Sequence, residues 1–161
     1  DYDGAVLWGN GVWPRLGTLL LYTTRVGVWG AKEFFIEEAP LKDYQKLSRY
    51  DWLLNRSYPV QWSWWAQCAG VRDLKTAGQE IWMEPGEDFY NKMLAQPVLG
   101  ISEKLMLSKT PYFSRLIAMT DYFAPAYRYY FVYPKDRPKR LALEKLLGWL
   151  GDYAAIHWQS L

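Results

Sequence analysis

The chain has 161 residues, half of them apolar, and a formal charge of +2. That length suits one domain with a real core. The apolar content excludes a largely disordered chain, and so small a charge demands no nucleic-acid partner. With one Cys and one His, intrachain disulfides, structural zinc sites and Cys clusters cannot be built.

The chain begins at Asp1 rather than Met, which reads as a mature form or a trimmed piece. Ten Trp, thirteen Tyr and six Phe put 18% of the residues in aromatic side chains. Trp and Tyr favour places with one apolar side and one wet side, at interfaces with protein or lipid.

Residues 5–14, broken by Gly9, Gly11 and Pro14, read as a lead-in loop, with Pro14 in the first turn of a helix. From about 14 to 36 the composition predicts one marginal membrane or interfacial helix. Its length of about 33 Å would match a hydrocarbon core of about 30 Å. Arg15 sits at the end, where it can snorkel, but Arg25 lies inside, where a charge costs about 2.5–3.5 kcal/mol. Leu16 to Thr24 gives nine uncharged residues, well short of the roughly 18 of a self-sufficient span. Such a helix needs partners.

The spacing of Leu41, Tyr44, Leu47 and Tyr50 is helical. Trp62, Trp64 and Trp65 follow, either as a strand with Trp62 and Trp64 on one face or as a helix turn at head-group level. Glu84-Pro85-Gly86-Glu87 signals a turn, with a helix after it carrying Glu87 and Asp88 in its first turn. Residues 112–123 are expected to be helical, ending before Pro125, and an extended aromatic segment follows. From about 138 to 158, Leu143, Leu146, Leu147, Leu150, Tyr153 and His157 recur at helical steps, predicting an amphipathic helix.

Chemistry is scarce. No phosphate-cradling loop is present, and His157 and Ser160 are near in sequence without the convergence a triad needs. Glu80, Glu84, Glu87 and Asp88 supply carboxylates for an acid/base pair, with Trp side chains for sugar stacking. Arg128, Arg137 and Arg140 are interleaved with or follow Tyr127 to Tyr133. That pattern suits single-stranded nucleic acid, a lipid boundary, or a strand with a basic turn. Nucleic acid is the least favoured, because the basic residues are confined to one turn.

Arg25 to Phe35 resembles the end of the single membrane helix of mitochondrial ATP synthase subunit e. Gly27, Gly30, Ala31 and Lys32 stand in places comparable to that family's small-residue stripe, alanine and basic residue. The likeness covers about a dozen residues, and Gly27-Val28-Trp29-Gly30 departs by one position from the family's G-x-x-x-G spacing. What it implies is a membrane subunit.

The resulting expectation is a mainly α chain, with a candidate membrane helix in residues 1–36 and an extramembrane, irregular, aromatic-rich region in 37–161. Its role would be a non-catalytic accessory subunit of a mitochondrial inner-membrane complex, an ATP synthase or a respiratory-chain assembly. Partners would be other subunits and membrane lipids, including anionic ones, with no cofactor and no metal. Arg15, Arg25, Gly27, Gly30, Lys32, Trp62, Trp64, Trp65, Arg128, Arg137 and Arg140 would make those contacts. The alternative is a soluble Trp-rich ligand-binding module, or a small hydrolase using acids near 80–88.

Overall fold

A computed structural model describes residues 3–71, 77–124, 127–136, 138 and 140–158. The chain is mixed α/β and divides into two compact units, one of Asp1–Thr24 with Ala124–Leu161, the other of Arg25–Phe123.

The larger unit is a five-stranded sheet between helices. Its strands are β3 (Val26–Ala31), β4 (Asp51–Asn55), β5 (Glu80–Met83), β6 (Val98–Glu103) and β7 (Leu116–Ala118), in the order β5-β4-β6-β3-β7. β4 runs parallel to β5 and β6, whereas β3 runs antiparallel to β6 and β7. The parallel strands are joined through α2 (Gln61–Cys68) and α3 (Glu87–Ala95). Short helices α1 (Lys32–Phe35) and α4 (Lys104–Ser108) follow β3 and β6.

Alternation along the strands assigns the two faces. Val26 and Val28 of β3 and Trp52 and Leu54 of β4 pack with Trp65 of α2, Phe35, Leu99 and Met119. Trp29, Ala31 and Leu53 point the other way, into a cluster with Phe89, Met93 and Leu94 of α3. Covered on both faces, all six residues of β3 are buried. Such a strand reads as a continuous apolar run.

This corrects the expected membrane helix. Residues 14–36 form two strands and a single helical turn, and the fold is not mainly α. β-branched Thr and Val favour extended backbone over helix, and interior glycines weaken a helix. Pro14 belongs to a turn in which the Leu16 N–H donates to the Trp13 carbonyl at 3.2 Å. Gly27 and Gly30 are not a helix-pairing stripe. A Cβ at Gly30 would stand 2.3 Å from the Phe35 ring, and one at Gly27 would stand 2.9 Å from the Tyr122 ring. Each glycine lets an aromatic ring lie on the strand. No described helix is long and apolar enough to cross a membrane.

The expected irregular middle is also ordered. A 3-10 helix (Tyr44–Arg49) leads into β4, and residues 112–123 hold a 3-10 turn and β7 rather than a helix.

The smaller unit is an antiparallel sheet of β1 (Ala5–Gly9), β8 (Arg128–Pro134) and β2 (Leu16–Tyr22), in that order. The extended aromatic segment expected after residue 123 corresponds to β8. α5 (Leu141–His157) lies where the amphipathic helix is expected. Its Leu143, Leu147, Leu150 and Ala154 pack on Leu19, Leu21 and Phe131 of the sheet.

Candidate ligand-binding site

In the larger unit the chain leaves β4 through α2 toward β5 on one side, then returns through α3 to β6 on the other. The strand order therefore reverses between β4 and β6, and open α/β sheets bind ligands beyond the carboxyl ends of strands at such a point. The residues there are Asn55 at the end of β4, Trp82 and Met83 at the end of β5, and Ile101 to Glu103 in β6.

A narrow recess with about 10 Å³ of internal space opens at this edge, lined by Leu54, Asn55, Tyr58, Trp62, Trp82 and Ile101, among others. The turn after β4 is tied to the neighbouring strand. The Arg56 N–H donates to the Met83 carbonyl at 2.8 Å, and the Arg56 guanidinium donates to the Trp82 carbonyl at 3.0 Å. The Ser57 hydroxyl donates to the Glu84 carboxylate. The Tyr58 N–H donates back to the Asn55 carbonyl at 3.2 Å, closing a turn that delivers the chain into α2.

The three tryptophans of α2 separate as helical geometry requires. Trp65 is fully buried. Trp62, one turn earlier, stacks on it with centroids 5.4 Å apart and also meets Trp52 at 4.2 Å. Trp64 turns aside against Tyr58. Trp62 thus presents a half-buried wall to the recess, with Trp82 opposite in chain position on the edge strand and 36% exposed.

Asn55 Oδ1 is buried and has no hydrogen-bond partner. Leaving such an acceptor bare costs about 1–3 kcal/mol, so the site is energetically poised for a donor. No side chain caps the first turn of α2, where the Gln61 N–H donates to the Tyr58 carbonyl at 3.2 Å. Charge at the same sheet edge comes from Arg25, just before β3, and from Lys104, whose ammonium lies 5.2 Å from the centre of the Tyr122 ring. The Glu103 carboxylate caps α4, accepting from the Leu105 and Met106 N–H groups at 3.0 and 2.7 Å.

The other expected contact residues are scattered. Lys32 lies at the opposite end of β3 from Arg25, roughly 20 Å away at strand rise, and donates to the Ser114 carbonyl at 2.7 Å. Arg15, Arg128 and Arg140 belong to the smaller unit. Arg140 pairs with Asp3 at 3.6 Å, both well exposed, and such a pair contributes little. Arg128 Nε is buried without a hydrogen-bond partner. Arg137 lies outside the described residues. Of the acids near 80–88, Glu80 opens β5, Glu84 accepts from the Ser57 hydroxyl, and Glu87 and Asp88 open α3. No group of three metal-binding side chains occurs among the described residues.

Sequence reasoning missed Asn55 and Trp82 as site residues. The available signals were faint: the unbroken apolar run Trp52-Leu53-Leu54 ending in a polar residue, and the Glu-Ile-Trp-Met alternation of an edge strand.

No family model matches the sequence, and no curated protein matches it either. Solved structures do. The effector domain of the transcriptional regulator AmpR of Pseudomonas aeruginosa aligns with 98% of this chain and 75% of its own, at 18% identity and a TM-score of 0.63. The regulatory domain of CcmR from Synechocystis PCC6803, in complex with 2-PG, aligns with 96% of this chain and 74% of its own, at 10% identity and a TM-score of 0.65. The effector-binding domain of QuiR, in complex with shikimate, aligns with 98% of this chain and 74% of its own, at 13% identity and a TM-score of 0.61. The fold is thus the one used by effector-binding domains of transcriptional regulators.

The resemblance to ATP synthase subunit e is overturned, because Arg25–Phe35 is a buried strand and one helical turn inside this fold. The expected membrane-complex subunits and lipids as partners, and the mitochondrial inner-membrane location, rested on that helix and go with it.

Proposed function

We propose that the chain is a small-molecule-binding effector domain, and that the recess at the carboxyl ends of β4, β5 and β6 holds part of the ligand. The observation that carries this reading is the bare Asn55 Oδ1, set among Trp62, Trp82 and Tyr58 where the strand order reverses. The fold likeness supports it, since the QuiR and CcmR domains hold shikimate and 2-PG. By the same likeness the ligand is a signal and is not transformed.

With about 10 Å³ of internal space the recess holds about one water, far less than the roughly 300–1,000 Å³ of pockets for drug-sized ligands. It takes one polar group of a ligand whose remaining atoms lie over the exposed part of Trp82. The group that fits best presents a flat apolar face to an indole and an O–H or N–H donor to Asn55.

Titration with shikimate, 2-PG and related small hydroxylated rings, followed by tryptophan fluorescence and calorimetry, tests this. Asn55→Leu removes the acceptor while keeping the branching and the number of heavy atoms. The expected result is binding by the unaltered chain that weakens at least tenfold in Asn55→Leu, about 1.4 kcal/mol or more. If no such compound binds and Asn55→Leu merely raises stability, the recess is a packing defect and the reading is wrong.

A further inference from the structure

α5 is apolar on more than one side. Its inner face, Leu143, Leu147, Leu150 and Ala154, is covered by the sheet of the smaller unit. A second stripe, Ala142, Leu146, Trp149, Tyr153 and Ile156, advances by alternating steps of four and three residues, the spacing of a helix-pairing seam. Leu146 is 40% exposed, Trp149 59%, Tyr153 37% and Ile156 68%. With two aromatic side chains among them, these four expose roughly 400 Å² of largely apolar surface. A patch of that size equals the largest on a typical monomer, which is often functional. The Trp149 and Tyr153 rings already touch, with centroids 5.3 Å apart.

We infer that this stripe pairs α5 with α5 of a second copy of the chain, antiparallel about a twofold axis near residues 147–148. The charges flanking the stripe select both the occupant and its direction. Lys145 and Asp152 are exposed on the same side of it, one heptad apart. In an antiparallel pair that layers Leu146 against the second copy's Trp149, and Ala142 against its Tyr153, Lys145 of each copy falls opposite Asp152 of the other. The symmetry makes that contact twice. A parallel pair would set Lys145 beside the second copy's Leu150, which is already committed to the sheet. The surface is thus complementary to itself in one direction.

The roughly 400 Å² of the stripe is about half of the roughly 800 Å² per partner in a standard stable interface. An interface of that size belongs with the small, transient ones, so the dimer is expected to be concentration-dependent. This inference stands apart from the ligand site, which lies in the other unit.

Sedimentation equilibrium of the whole chain across about 1–500 μM tests it, with circular dichroism to check folding. Reversible dimerisation is expected. Lys145→Asp alone and Asp152→Lys alone should each weaken it at least tenfold by facing like charges twice. The double variant K145D/D152K should recover most of the loss, because the swapped pairs are again opposite. Trp149→Ala should abolish the dimer. A monomer throughout the range overturns the inference, as does a dimer that the swaps leave unchanged. Sedimentation of a monomeric chain with phosphatidylcholine–phosphatidylglycerol vesicles, abolished by Trp149→Ala, would assign the stripe to lipid instead and also overturn it.

Discussion

The two units use tryptophan in opposite ways. In the larger unit a central sheet is covered on both faces, and Trp29, Trp52 and Trp65 are sealed inside it at 3%, 0% and 0% exposure. In the smaller unit a three-stranded sheet has α5 on it, and Trp8 and Trp149 remain exposed at 36% and 59%. The larger unit seals three tryptophans as core while leaving Trp82 36% exposed on its edge strand, and the smaller unit seals none of its own. High aromatic content alone therefore does not say whether a surface is covered. The layer arrangement around each ring decides it.

The sharpest way to break the comparison is to remove one ring from each unit. Trp65→Ala deletes a fully buried side chain that touches Trp62, Tyr44 and Phe123, and should cost about 4 kcal/mol. Trp149→Ala removes an exposed ring and should change the stability of the folded chain by about 0.5 kcal/mol or less. Urea unfolding at a protein concentration low enough to keep the chain monomeric measures both. Near-equal losses would mean that the units do not differ as described.

Alkaline pH should also separate them. The tyrosines held above their ordinary pKa, Tyr44, Tyr50, Tyr112 and Tyr122, all belong to the larger unit. Burial, followed by the hydroxyl's donation to Glu38, pushes Tyr50 up from 10.0 to about 12. A group with a raised folded pKa contributes stability that is complete below the unfolded value and lost as pH rises toward the folded one. The larger unit should hold its melting temperature up to about pH 10 and lose it progressively toward pH 12. Tyr50→Phe should flatten part of that loss. A melting temperature as steep in Tyr50→Phe as in the unaltered chain would show that the ionisation of Tyr50 is not coupled to folding.

The same contrast explains what the sequence made legible. α5 could be read because one side of it is polar enough at Lys145 and Asp152 to reveal a helical period. β8 could be read from its run of Tyr and Val. β3 could not: with both faces covered it has no polar alternation, and Val26 to Ala31 looks like a piece of membrane helix. Its glycines look like a pairing stripe until Phe35 and Tyr122 are seen lying on them. The parallel pairing of β4 with β5 and β6 was hidden too, because long-range register leaves no local mark. At the site, Trp62 could be picked out but its direction could not. Asn55 went unnoticed because a buried unpaired acceptor is a property of the fold around it.

The smallest expected effect concerns a residue of the smaller unit that sequence reasoning placed at a membrane boundary. Arg15 has φ of 66°, a left-handed conformation that side chains other than Asn, Asp and Gly rarely adopt. It follows Pro14 in the turn closed by Leu16 and Trp13, and its carbonyl accepts the Lys135 N–H at 2.9 Å. The turn thus supports the pairing of β2 with β8 while holding Arg15 in a strained state that costs roughly 1 kcal/mol. Arg15→Asn keeps the backbone bond and suits the conformation, so it should stabilise the chain by about 0.5 kcal/mol. Asn gives the unfolded chain less added freedom than Gly would. Matched urea titrations would detect the gain. Loss of stability instead would mean that the Arg15 side chain makes a contact worth more than the strain.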